Sequence, residues 1–154
     1  MTISDVTNLG LLLITAVVSV FGVYQFISTT RFNRNQSAKE IHSEYIKIGL
    51  ENPTLANPSL KGLDLETLTL GGSREEFERY EWFVSFMIWS FEEVFHLSSD
   101  LSWSNTIRLS LQAHASYLQS EHVGRAGYLD NVDPAIRKLI SELPLHPPRH
   151  PLTP

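Results

Sequence analysis

The chain contains no cysteine. That removes disulfide frameworks, thiolate zinc sites, iron–sulfur clusters and cysteine nucleophiles together. Charge is scarce as well: Asp, Glu, Lys and Arg make up 19 % of the residues, against about 25 % in a typical soluble domain. Acids outnumber bases 17 to 12, for a net charge of −5. A general nucleic-acid binder would show a basic surface, so no nucleic-acid partner is expected. Alternating strand patterns of useful length and a βαβ rhythm are missing, and so is any internal repeat. The sequence also lacks G-x-x-x-x-G-K-[ST], G-x-G-x-x-G and G-x-S-x-G, the loops that cradle phosphates or present a nucleophilic serine. No cofactor is expected. For 154 residues these absences leave an all-α protein with one small domain.

What is present begins with a long apolar run. Residues 9–28 read LGLLLITAVVSVFGVYQFIS and carry no charge. About 20 such residues at 1.5 Å rise cover the ~30 Å hydrocarbon core, so this segment is expected to sit in a lipid bilayer. Thr15 and Ser19 are tolerable there because a hydroxyl can bond back to the preceding turn. Tyr24, Phe26 and Phe32 suit an interfacial aromatic belt. A cleaved signal peptide has a basic start, an apolar core of about 7–15 residues and a small-residue cleavage site. Here residues 1–8 hold one acid and no base, and no such site follows. Bases appear only after the run, as Arg31, Arg34 and Lys39 within and just beyond a juxtamembrane segment at 29–36. The positive-inside rule then predicts a short extracytoplasmic N-terminus, 1–8, and a cytoplasmic C-terminal part, in a plasma (inner) membrane. Thr15, Ser19 and Gly22 form a loose small-residue stripe through which two membrane helices could associate.

Residues 37–143 read as a small cytoplasmic helical bundle. Ser37 and Glu40 fit a capping box that opens a helix. Ala38, Ile41, Tyr45 and Ile48 form its apolar face, and Pro53 stops it near Asn52. This helix either continues from the membrane helix or is separated from it by a bend in 29–35. The leucine-rich stretch 53–72 reads as a loop with a helical turn at 64–70, its leucines closing one end of the core. A second capping box, Ser73 and Glu76, opens a helix over roughly 74–97. Phe77, Tyr80, Val84, Met87, Ile88, Phe91 and Phe95 form one of its faces. Trp82, Phe86 and Trp89 form another. Neighbouring helices are expected to cover both; the alternative is an exposed partner-binding stripe of those three aromatics. The uncharged part of this helix, between Glu81 and Glu92, is ten residues long, too short to span a bilayer. A further helix is predicted over about 101–121, with Trp103, Ile107, Leu111, His114 and Leu118 on one face. Asp133 and Pro134 read as N-cap and first residue of a last helix to Leu143. Residues 144–154 hold five of the eight prolines and read as a disordered or polyproline-like tail with P-x-x-P triplets. Two histidines within it, His146 and His150, make a poor metal site on such a chain.

Two pairs of residues invite a chemical reading. Glu93 and His96 form an E-x-x-H, the helical pair used by di-iron carboxylate proteins. Those sites use it twice, and here it occurs once, so the plainer reading is a histidine near the negative end of a helix dipole. Arg108 and His114 are the second pair. Their spacing resembles the R-x(4–6)-H signature of HEPN ribonuclease-like helical domains, which implies His114 as acid or base and Arg108 on the phosphate. Leu109 follows the arginine where that family usually has a polar residue. The plainer reading is a surface arginine and a half-buried histidine.

The outline of the chain is similar to that of small bacterial membrane-anchored helical domains of unknown function. It is carried by the single span with its basic flank, Glu51-Asn52-Pro53, Phe91-Glu92, Trp103 and Tyr128. The resemblance implies an all-helical fold and a plasma-membrane location, and no catalytic residues. The expected function is that of a membrane-tethered adaptor, sensor or regulatory protein. It would act through contact with a protein partner or through self-association. The alternative is a membrane-anchored ribonuclease using Arg108 and His114.

Overall fold

The computed structural model describes residues 3–98 and 101–144, with the backbone alone for residues 3–9, 13, 101 and 102. The prolines and histidines predicted as a tail beyond Pro144 lie outside the described residues. The protein is 77 % helical, with seven α-helices among the described residues and almost no strand. Two units divide the chain, residues 1–37 and 38–154. Helix α1, Ile3–Glu51, contributes to both.

The first unit is the apolar part of α1. It is long and apolar enough to cross a membrane: an 18-residue stretch has a mean hydropathy of 2.1, and none of that stretch is buried. Thr15 Oγ1 donates to the Leu11 carbonyl at 2.9 Å and Ser19 Oγ to the Thr15 carbonyl at 2.8 Å. Both hydroxyls are thus satisfied within the helix, as hydrocarbon surroundings demand. Helical backbone continues through 29–36, so Ser37 lies inside α1 and does not open a helix with Glu40.

In the second unit, α1 presents Ala38 and Tyr45 to the core with Ile41 and Ile48 beside them. Its end is set by Pro53, whose missing N–H and ring cannot continue the helix. Asn52 caps the last turn by donating both its backbone N–H and its Nδ2 to the Ile48 carbonyl, each at 3.0 Å. A short helix α2, Pro53–Ala56, and a 3-10 turn, Pro58–Leu60, follow. The helical turn expected at 64–70 is instead a small hairpin. Strands β1, Leu63–Asp64, and β2, Thr69–Leu70, pair antiparallel with Leu63 opposite Leu70. Asp64 explains the difference. Its Oδ1 accepts from the N–H groups of Glu66 and Thr67 at 2.9 and 3.1 Å, closing a turn that competes with helix. Leu68 sits at φ +53, a left-handed position uncommon for a side chain of its size. Leu55 and Leu70 are buried and Leu63, Leu65 and Leu68 pack against the core, whereas Leu60 stays exposed.

Helix α3, Arg74–Leu97, is the centre of the bundle. Ser73 Oγ accepts from the Glu76 N–H at 3.3 Å. Only that half of the capping box forms, because Glu76 turns outward to Lys61 and Arg79, both at 2.9 Å. Phe77, Tyr80, Val84, Met87, Phe91 and Val94 are buried. The helix predicted over 101–121 is broken: α4 is Leu101–Gln112, α5 Ala115–Leu118 and α6 Glu121–Ala126. Contacts distant in sequence hold the break, as described below for His114 and Tyr117. Ser120 caps α6 by accepting from the Val123 N–H at 3.3 Å. Gly127 ends α6 at φ +67, a conformation that disfavours a side chain. Helix α7, Pro134–Ser141, begins as expected, with Asp133 Oδ1 accepting from the Ala135 N–H at 2.7 Å.

Candidate functional site

Three groups of side chains bear on function, and α3 supplies the first. Its inner face is core, but its outer face is bare: Trp82 is 78 % and Trp89 54 % exposed, with Phe86 half-buried between them. The Phe86 and Trp89 rings lie 6.0 Å apart. Neighbouring helices therefore do not cover the second aromatic face. Two tryptophans left in water on one face are unusual, because each large apolar surface forfeits burial free energy. The polar groups between them are already satisfied: Ser85 Oγ donates to the Glu81 carbonyl at 2.9 Å and Ser90 Oγ to the Phe86 carbonyl at 2.8 Å.

The second group is the aromatic and histidine interior behind that helix. His42 meets Trp103 edge-on at 5.2 Å, although the helical wheel had placed it off the apolar face. Tyr45 packs on Phe91 and Phe83, and Phe83 packs on His114. His114 is fully buried, stacked 5.6 Å from Tyr80, with Nδ1 3.0 Å from the Tyr80 hydroxyl. Burial lowers the His114 pKa to about 4 and holds the ring neutral. Its Nε2 is buried with no hydrogen-bond partner. Burial also raises the Tyr80 and Tyr117 hydroxyls above their ordinary range, with the Glu81 carboxylate adding to the effect on Tyr117.

This geometry bears directly on the arginine–histidine pair. Helix α4 ends at Gln112, so His114 lies in the turn beyond it and not on a shared helix. Arg108 is exposed while His114 is enclosed. The structure does not bring the two to one accessible surface. Glu93 and His96 fare similarly. His96, in the last turn of α3, has Nε2 3.5 Å from Asp133 Oδ2. Its neighbour Glu92 accepts from the Asp133 N–H at 2.5 Å. These contacts tie the start of α7 to the end of α3. Among the described residues, no three His, Cys, Asp or Glu side chains gather closely enough to hold a metal ion.

The third group has no local sequence signal. Glu81 Oε1 accepts from the Tyr117 hydroxyl at 3.1 Å and lies 2.7 Å from His122 Nε2. The carboxylate can only accept, so Nε2 carries the proton and the other ring nitrogen is left to act as an acceptor. The His122 ring also meets Phe77 edge-on at 5.8 Å. His122 lines a groove of about 630 Å³ with Leu65 and Leu68 of the hairpin loop and Ser120 and Arg125 of the α6 region. Helices α3, α5 and α6 thus meet at one carboxylate oxygen. The residues are 36 and 41 positions apart, a separation that no periodicity or spacing rule reaches. No family model, curated protein or solved structure matches this chain, and its function has to be read from the geometry just described.

Proposed function

We propose that this chain is a single-pass membrane protein whose helical domain works as an adaptor, sensor or regulatory subunit through protein contact. The exposure of Trp82 and Trp89 on the outer face of α3 carries this reading. Tryptophan is the residue type most enriched among binding hot spots, and a contact face gives the unfavourable exposure a use. Residues 9–28 hold the chain in the bilayer. Arg31, Arg34 and Lys39 after the span favour a plasma-membrane orientation with the N-terminus outside and residues 38–143 in the cytoplasm.

The test is crosslinking in intact cells, followed by affinity purification and mass spectrometry of the tagged full-length protein. The wild-type chain is expected to recover a reproducible partner or itself, and Trp82→Ala with Trp89→Ala is expected to lose it. Equal recovery by both proteins would show that the face is not the contact.

A further inference from the structure

The outer face of α3 is arranged about its own middle. Ser85 and Phe86 lie at the centre, Trp82 on one side and Trp89 at a matching distance on the other. Beyond Trp82 come Glu78 and Arg79, and beyond Trp89 come Glu93 and His96. At 3.6 residues per turn these positions share one side of the helix. Glu78, Arg79 and His96 have side chains exposed by 59, 55 and 64 %.

A contact between identical chains requires a surface that complements itself under a two-fold rotation. Two α3 helices laid antiparallel, with the axis near Ser85 and Phe86, meet that requirement. Trp82 of each copy falls opposite Trp89 of the other. On one flank Arg79 falls beside the second copy's Glu93. On the other flank Glu78 falls beside the second copy's His96. A parallel arrangement sets Glu78 against Glu78 and Glu93 against Glu93, which repel. Ser85 is small, and its hydroxyl is already bonded to the Glu81 carbonyl. The helices can therefore approach at the centre without stranding a polar group.

We infer that the outer face of α3 is covered by α3 of a second copy, packed antiparallel about Ser85 and Phe86. This rests on the protein-contact role proposed above and names the partner. Anchoring strengthens the case for a second copy. Tethered chains share one plane, and the resulting effective concentration lets a modest face associate.

The absence of cysteine makes the test direct, since an introduced thiol is the chain's only one. Ser85→Cys, Glu78→Cys and Glu93→Cys are made singly in the full-length protein. Native membranes are mildly oxidised and read on non-reducing gels. Ser85→Cys is expected to form dimers. Glu78→Cys alone and Glu93→Cys alone are not, because each would lie roughly 20 Å from its own counterpart along the helices. Co-expressed with different tags, Glu78→Cys and Glu93→Cys are expected to join each other. Adding Trp82→Ala to Ser85→Cys should lower the dimer yield about tenfold, as for a hot-spot tryptophan. Self-joining of Glu78→Cys would overturn the antiparallel register. Failure of all three cysteines to join would overturn the second copy as occupant. In that case, Trp82-dependent capture of a different protein would leave the contact role standing, and its absence would remove that role too.

Discussion

Helices α1 and α3 both contain uncharged apolar stretches, and the protein treats them in opposite ways. The stretch in α1 covers 9–28 and has no buried residue among its described members beyond the half-covered Gly10. The stretch in α3 lies between Glu81 and Glu92, and most of its side chains on one side are buried. Apolar content is thus a poor guide to what surrounds a helix. Length and the placement of acids separate the two: twenty residues reach across hydrocarbon, and ten do not. Within α3 the same contrast recurs at smaller scale. Phe77 and Trp82 are five positions apart on one helix, one wholly buried and the other mostly in water.

The sharpest way to break that inner contrast is to truncate both residues. Phe77→Ala leaves a cavity in the core and is expected to cost about 3–5 kcal/mol of stability. Trp82→Ala should stay within about 0.5 kcal/mol. Denaturant unfolding of the full-length protein in mild detergent, followed by circular dichroism, measures both. A large loss from Trp82→Ala would mean that its face is core after all.

Next in size is a charge placed at mid-span. Val18 is exposed in the isolated chain, so Val18→Arg would do little to a helix standing in water. In a bilayer the same change costs about 3 kcal/mol. Loss of the variant from carbonate-washed membranes is the expected result, and unchanged retention would place the apolar run elsewhere.

A smaller and graded effect comes from His114. Its pKa falls from 6.5 unfolded to about 4 folded, so the unfolded chain binds the proton first. Stability is complete above pH 6.5 and falls as pH drops through the interval to 4, by roughly 3 kcal/mol over the whole range. His114→Phe should flatten that part of the unfolding profile. A slope unchanged by the substitution would assign the acid sensitivity to other groups.

The sequence made much of this architecture legible wherever the signal was local. Ser73 and Asp133 announced the starts of α3 and α7, and Pro53 announced the end of α1. The buried face of α3 followed from its helical spacing. Signals failed where distant partners decided the outcome. Nothing near Ala113 or His114 resembles a helix breaker, yet tertiary contacts to Tyr80 and Glu81 turn the chain there. Ser37 carried a start signal that the continuing helix ignored. The wheel showed that Trp82, Phe86 and Trp89 share a face, but a wheel cannot count the neighbours available to cover it. His122 and Glu81 were invisible as a pair for the same reason: their meeting is a property of the fold.

That meeting has a consequence for how the molecule breathes. Helices α5 and α6 have four and six residues, far below the length at which a helix persists unaided. Both are moored to α3 through one oxygen of Glu81. A single side chain therefore holds a corner that has little local cohesion of its own. When that mooring lets go, the segment from Ala115 to Ala126 opens as a unit, and its amides exchange with solvent together and well before those of α3.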